Sequence, residues 1–318
     1  MNKRICVIGA GYWGKNHIKT LSQLGVLKGV VESNRNILES LTIEYPNILF
    51  FENINSALKE DFDGFTIATP AETHFKIAKK VINSGKHVLI EKPMTLSVDD
   101  AEELVSLAKT FDVNLMVGHV LLFHPAVIKI KEIIAEGAIG ELQYLYSNRL
   151  NLGKVRTEEN VFWSLAPHDI AIFQYLTDSF PINIKAKGSS FLQKGIPDLT
   201  MTHLEYQNGV KGHIFVSWLH PFKEHRLVVI GSEAMITYED SKVGKPLKVF
   251  SKKFDLVGGI PEKFDGPVQI ISYTERMPLT VEFEYFLECM DKGKPMISNG
   301  EHGLEVVKIL VETSKQFQ

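Results

Sequence analysis

Lys92 is the residue of this 318-residue chain whose surroundings point most directly to chemistry. It stands in Glu91-Lys92-Pro93, directly after the apolar run 88–90. A lysine set between a glutamate and a proline at the end of a buried strand is badly placed for a solvated charge. Pro93 removes a backbone donor and fixes the turn, and a cis bond is one way to do so. Partial burial and a neighbouring cation lower the pKa of a lysine, which suits proton exchange with a substrate hydroxyl. A purely structural Lys92–Glu91 pair is the alternative.

A second group of residues is suited to phosphate. Gly9-Ala10-Gly11-Tyr12-Trp13-Gly14 follows an apolar run and opens a helical pattern. Gly9 permits a tight turn, Gly11 lets backbone approach a pyrophosphate, and Gly14 lets the helix pack on the strand. A dinucleotide then rests its pyrophosphate on the positive helix N-terminus, beside Tyr12 and Trp13. The second strand ends in Glu32, about 20 residues on, where a carboxylate accepts hydrogen bonds from both adenosine ribose hydroxyls. It would also repel a 2′-phosphate, which favours NAD over NADP; Arg35 nearby acts in the opposite sense. A glycine turn with no ligand is the bland reading of the same loop.

The elements that must carry these residues follow from periodicity. Apolar runs at 5–8, 29–32, 64–68, 87–90 and 115–118 alternate with amphipathic stretches at 15–24, 73–84 and 98–111. Short strands separated by helices imply parallel pairing through right-handed crossovers, and strands apolar throughout imply helices on both faces. The expected domain, residues 1–120, is a Rossmann-type doubly wound parallel sheet. Ligands of such sheets bind at the carboxyl ends of the strands. Thr69-Pro70, with His74 in the next helical turn, and Gly118-His119 therefore line the same crevice as Lys92, which lies near the nicotinamide.

After residue 120 the rhythm changes. A helix at 125–136 precedes alternating segments at 142–148, 184–191, 200–206, 210–217, 225–230, 234–238 and 247–251. The turn Tyr206-Gln207-Asn208-Gly209-Val210 is a hairpin signal. Residues 121–318 are expected as an α+β domain with a large open, mostly antiparallel sheet. One face packs on helices and the other is exposed or joins a second subunit. The Gly- and Pro-rich stretch 255–272 reads as a loop, and helices at 279–291 and 303–316 close the chain, the last with the option of packing back on the first domain. Within this half, Arg149 and Arg156 flank a Gly-containing loop and are spaced to clamp a diphosphate. Ion pairs with Glu158, Glu159 or Asp178 are the duller alternative. Trp163-Ser164-Leu165-Ala166-Pro167-His168-Asp169 opens a helix running to Tyr175.

The glycine loop, the acidic residue, Thr-Pro-x-x-x-His and Glu-Lys-Pro, in this order, resemble the Gfo/Idh/MocA family of sugar and inositol oxidoreductases, and the resemblance extends over nearly the whole chain. It implies that Lys92 is the catalytic lysine and that His168 is the second-domain histidine that bonds the reacting hydroxyl. It also implies that Glu91 and the turn from Thr69 and Pro70 to His74 contact the nicotinamide-side ribose and pyrophosphate. His119 is implied beside the nicotinamide. Many members carry an aspartate four residues before that histidine; here Ser164 stands there, and Asp169 is the nearest acidic substitute. The pattern around Arg149, Arg156, Trp163, His168 and Asp169 resembles members acting on nucleotide-linked amino sugars, which oxidise a ring hydroxyl, often C3 of a UDP-N-acetylhexosamine. A free-sugar or inositol dehydrogenase is the alternative. An NAD-retaining glycosidase would share the first oxidation, and a sugar sensor would need neither Lys92 nor His168.

Bulk properties narrow the rest. A formal net charge of −3 gives no global field for nucleic acid. No Cys/His cluster has zinc spacing, and no metal is expected. Cys6 and Cys289 are far apart, with Cys6 reading as a buried thiol. Met1-Asn2-Lys3-Arg4 runs straight into a strand without the apolar segment of a leader, and no uncharged run reaches the length of a membrane span. A cytoplasmic enzyme that pairs into a homodimer or homotetramer through its open sheet is the expectation. His124, His203, His213, His220 and His225 read as structural, and His302 has no assignment.

Overall fold

A computed structural model describes residues 3–153 and 155–317; Met1, Asn2, Lys154 and Gln318 lie outside the described residues, so the leader reading at 1–2 falls there too. The described chain forms two compact units, residues 3–123 with 276–308, and residues 124–275 with 309–317. The division is thus discontinuous, rather than a single cut near residue 120.

The first unit alternates β1 (Ile5–Ile8), α1 (Tyr12–Gln23), β2 (Leu27–Val31), α2 (Arg35–Glu44), β3 (Leu49–Phe51), α3 (Ile54–Ala57), β4 (Gly64–Ile67), α4 (Ala71–Asn83), β5 (His87–Glu91), α5 (Val98–Thr110) and β6 (Leu115–Gly118). A short 3-10 turn, Val120–Phe123, ends this run. All six strands are parallel, in the order β3-β2-β1-β4-β5-β6. That order reverses direction between β1 and β4, which opens the crevice of a doubly wound sheet. Strands β1, β4 and β6 are buried at every residue, as continuous apolar runs demand when helices cover both faces. The three-residue strand β3 is too short to give a periodic signal and escapes the sequence reading. Cys6 and Cys289 are both free and buried.

The second unit contains α6 (Pro125–Ala135), β7 (Leu142–Leu150), α7 (Val161–Thr177), β8 (Pro181–Ser189), β9 (Leu199–Tyr206), β10 (Lys211–Ser217), β11 (Glu224–Gly231), β12 (Met235–Glu239), β13 (Leu247–Val257) and β14 (Ile260–Ile271). They form one eight-stranded sheet, β14-β13-β12-β11-β7-β10-β9-β8, antiparallel except where β10 pairs β7. Helix α7 lies on the face carrying Leu145, Leu204, Ile214 and Val216, all buried. The opposite face carries Tyr144, Tyr146, His213 and the exposed Met201, with the His213 ring stacked on Tyr146. His124, one of the histidines read as structural, caps α6 by accepting from the Ala126 amide at 3.1 Å.

The stretch 255–272 is not a loop. It completes β13 and forms β14, joined by Gly258-Gly259, both at positive φ as a tight two-residue hairpin requires. Glycine and proline density misleads here because β14 is an edge strand, where a proline removes no donor that the sheet needs.

The chain then returns to the first unit through α8 (Pro278–Lys292) and the start of α9 (Gly300–Ser314). Asn114 fixes this return by donating to the carbonyls of Cys289 (2.8 Å) and Gly293 (3.1 Å). The Ser298 hydroxyl donates to the Val117 carbonyl at 2.6 Å, and Asn299 bridges Met116 on β6.

Candidate active site

Five turns leave the carboxyl ends of β1, β2, β4, β5 and β6, and with all strands parallel they emerge along one edge of the first unit. Gly9 has φ +91°, and a Cβ there would lie 2.8 Å from the Thr69 methyl carbon, so the first and third of these turns touch. A Cβ on Gly14 would stand 2.0 Å from the Gly9 carbonyl oxygen, which leaves only glycine able to start α1 at this distance. Gly11 differs: a Cβ there meets nothing within 4 Å. The protein itself does not require glycine at position 11. A ligand drawn close to the backbone would require it, and the N-terminus of α1 has no side-chain cap to compete with one. Tyr12 and Trp13 flank that end, 87% and 40% exposed. These residues fit a dinucleotide pyrophosphate. Gly11→Ala should change stability by less than about 1 kcal/mol while raising the Kd for dinucleotide at least about tenfold, as calorimetric titration would show.

Glu32 follows β2 and turns back over the loop, accepting from the Ala10 amide (2.8 Å) and the Asn34 amide (2.8 Å). Its carboxylate therefore sits at the glycine loop. Arg35 is exposed and forks onto Glu52 at 2.9 and 3.3 Å, directed to a partner other than Glu32.

The turns after β4 and β5 are locked to each other by His74. This residue is 1% exposed, with Nδ1 2.9 Å from the Pro93 carbonyl and Nε2 2.9 Å from the Thr69 carbonyl. Burial pushes its pKa down in spite of both carbonyls, and a neutral ring donates to only one of them at a time. His74 is thus enclosed as a brace between the two turns, and Thr69 and Pro70 are the less buried residues of the first of them. The Thr69 hydroxyl accepts from Thr73 at 2.7 Å.

Lys92 is half-buried, and the Lys92–Pro93 bond is cis. Beneath it Glu91 is 6% exposed, accepting from the Lys92 amide (3.2 Å) and facing His17 Nε2 (2.9 Å). The other ring nitrogen of His17 faces the Thr66 hydroxyl at 3.2 Å. Glu91 is therefore a buried support of the lysine turn. Gly118 makes room for it, since a Cβ there would come within 3.2 Å of the Glu91 carboxyl carbon.

His17 and Glu282 escape the sequence reading. Each stands on the buried stripe of an amphipathic helix, His17 with Gly14, Ile18 and Leu21, and Glu282 with Leu279, Phe283 and Phe286. A polar residue inside an apolar stripe is the available signal. Phe283 meets the His17 ring edge-on at 5.0 Å. Burial, and then the nearby Glu91, hold the Glu282 carboxyl well above the usual range. A raised folded-state pKa favours the fold below the unfolded pKa, and that advantage drains away as pH rises toward the folded value. Glu282→Gln abolishes the titration. Its stability relative to the parent should rise with pH above about 4.3, by up to about 1.4 kcal/mol per unit. Urea midpoints of the two proteins measured between acid and neutral pH test this, and a constant difference would contradict it.

The second unit places its candidates differently from the expectation. Arg149 lies in strand β7 and not in a loop; it is buried, with Nε and one terminal nitrogen donating to Asp169 at 2.7 and 3.0 Å. Ser147 also donates to Asp169. Arg156 is exposed and pairs with Glu158 and Glu159, at 3.9 and 3.1 Å. The paired-arginine diphosphate clamp is thus not formed, because one fork is consumed inside the unit. Asp169 is 2% exposed and neutralised by Arg149, so it does not replace the aspartate missing at Ser164. The Trp163 indole N–H donates to Ser314 at 2.9 Å, anchoring α7 to the end of α9. His168 and Ser164 lie one turn apart on α7, both half-buried.

A nucleotide-binding Rossmann unit with a lysine at the crevice, followed by an α+β unit with an open sheet, defines a class of two-domain oxidoreductases. The family profile described as "Oxidoreductase family, NAD-binding Rossmann fold" matches residues 3–119, and the "GFO/IDH/MocA C-terminal domain" matches residues 127–237. The chain belongs to the Gfo/Idh/MocA family. It is 26% identical over 310 residues to UDP-N-acetylglucosamine 3-dehydrogenase of Acidithiobacillus ferrooxidans, covering 96% of this chain and 95% of that one. The solved structure of that enzyme superposes with a TM-score of 0.88 at 24% identity, covering 100% of this chain and 98% of the other. D-xylose 1-dehydrogenase [NADP(+)] of Haloarcula marismortui is 25% identical over 339 residues (98% and 91% covered). scyllo-Inositol 2-dehydrogenase (NAD(+)) of Bacillus subtilis is 25% identical over 312 residues (92% and 88%). No helix among the described residues is long and apolar enough to cross a membrane.

Proposed function

We propose that the protein is an NAD-dependent dehydrogenase that oxidises a ring hydroxyl of a nucleotide-linked sugar, at C3 of a UDP-N-acetylhexosamine. The observation that carries the dehydrogenase reading is Lys92 itself. It is held half-buried at a strand end by Glu91 below and by the His74-braced turns beside it. Full-length similarity to a UDP-N-acetylglucosamine 3-dehydrogenase supports the choice of sugar.

In this reading Gly9, Gly11 and the N-terminus of α1 hold the pyrophosphate, and Glu32 takes the adenosine ribose. Glu32 would exchange its bond to Ala10 for bonds to the ribose hydroxyls, which is the basis for preferring NAD. The bound nicotinamide supplies the hydride acceptor. Lys92, as the amine, takes the hydroxyl proton, and family resemblance adds His168 as a second group on that hydroxyl. In the same reading the protein self-associates through the sheet face carrying Tyr144, Tyr146 and His213, which the exposed Met201 on that face supports.

The missing arginine clamp favours a second reading, a free-sugar or inositol dehydrogenase, since Arg149 is enclosed with Asp169. Absorbance of reduced nicotinamide decides between them. The protein is mixed with NAD or NADP and with UDP-N-acetylhexosamines, free hexoses, xylose or inositols. Reduction of NAD by a UDP-N-acetylhexosamine alone is expected. Turnover of the free alcohols with none on any UDP-sugar would overturn the preferred substrate.

A further inference from the structure

His119 is 1% exposed, and neither of its ring nitrogens meets a hydrogen-bond partner among the described residues. A buried polar group left in that state is costly, so its retention needs a reason. Its position supplies one. Glu91 on β5 stands opposite Gly118 on β6, so Lys92 and His119 step off neighbouring parallel strands side by side, on strands about 4.8 Å apart. On the other side His302, from the first turn of α9, meets the His119 ring edge-on, with centroids 5.6 Å apart and planes at 88°.

The location of His302 is tightly set. The Asn299 side chain accepts from its amide at 2.8 Å, and Asn299 itself bridges Met116 on β6. Gly303 lets the helix close on β6, where a Cβ would stand 2.5 Å from a Val117 methyl carbon. Unlike His119, His302 is partly exposed. The three side chains thus form a row from a half-buried lysine, through an enclosed imidazole, to one that reaches solvent.

We propose that His119 and His302 form the route by which the proton taken up by Lys92 leaves for solvent. The proposal rests on the dehydrogenase reading above. Oxidation of a secondary alcohol breaks its C–H and O–H bonds, sending the hydride to the oxidised nicotinamide ring and the proton to the Lys92 amine. The resulting ammonium must lose that proton before another turnover. One nitrogen of neutral His119 accepts it while the other gives up its own proton toward His302, which releases a proton to water. Rotation of either ring about its Cβ–Cγ bond aligns the nitrogens, and the return rotation restores the starting tautomers. Passing the proton through in this way spares His119 a net charge. Burial, His302 and Lys92 in turn disfavour that charge, holding the ring well below its usual range.

The test pairs kinetics with a readout that needs no substrate. His302→Ala should lower kcat about tenfold or more, and added imidazole should restore it in proportion to concentration. His119→Phe should show a similar loss without rescue, since the enclosed site admits no imidazole. In His302→Phe, which keeps the ring packing, hydride transfer in the first turnover should match the parent while proton release to a pH-indicator dye lags. In the ligand-free protein, 15N spectra should show His119 neutral throughout about pH 6 to 8. Its shifts should change on Lys92→Met and on His302→Ala. Unchanged kcat in both histidine variants, or His119 shifts indifferent to both neighbours, would overturn the relay. Failure of every alcohol to reduce the cofactor would count against the dehydrogenase reading instead, and the spectra would still decide the relay.

Discussion

Lys92→Met lowers kcat/KM for the sugar by about 10²–10⁴-fold, the usual contribution of a positioned proton-transfer group. Methionine keeps the length and apolar stem of lysine and removes only the amine. The turn itself should persist, because Glu91 binds the backbone amide of residue 92 and His74 grips the Pro93 carbonyl, and neither needs the ammonium. Dinucleotide binding should therefore remain close to that of the parent. Quenching of Trp13 fluorescence at the glycine loop is a direct measure of it, since that indole is partly exposed beside the proposed pyrophosphate position. Activity near the parental value would remove Lys92 from the reaction.

Arg149→Met should cost about 3–5 kcal/mol of stability, the usual penalty for stripping one partner from a buried ion pair. The Asp169 side chain is 2% exposed and that of Arg149 10%, so water cannot replace the lost guanidinium. Among the described residues, Ser147 would remain as the side chain donating to the stranded carboxylate. The double variant Arg149→Met/Asp169→Leu should recover most of the loss, because two apolar side chains leave no uncompensated charge. Denaturant midpoints of parent, single and double variants measure both statements. A single variant within about 1 kcal/mol of the parent would show that the pair contributes little. Asp169 adjoins His168 on α7, so the single variant should also disturb the placement of that histidine.

The first unit was largely legible because its rules are local. A glycine loop between strand and helix, apolar strands and helical spacers each signal themselves within about 20 residues. The turns carrying Glu32, Thr69, Lys92 and His119 follow from the parallel order alone. What lay hidden was pairing across distance. His74 is separated from the Pro93 carbonyl by 19 residues and His17 from Glu91 by 74, and nothing in the intervening sequence announces either bond. Arg149 misled for the same reason. Paired with Arg156 across a glycine-containing loop it invited a diphosphate, whereas β7 directs its fork to Asp169 on α7, 20 residues later. The fold-back of the last helix was readable in outline, but not that α8 joins it, nor that the return brings Glu282 near Glu91 and His302 beside His119.

The hairpin that sequence disguises as a loop also bears on how the folded protein behaves in a crowded solution. Strand β14 is 12 residues long and outermost in its sheet, and it leaves Ile260, Phe264, Val268 and Ile270 exposed. A long apolar strand with a free edge is a template on which further copies can stack. Pro261 and Pro267 break its row of amide donors, and Lys263 and Asp265 set charge between the apolar positions. The residues that hide the strand from a reader of the sequence are those that guard its edge against aggregation.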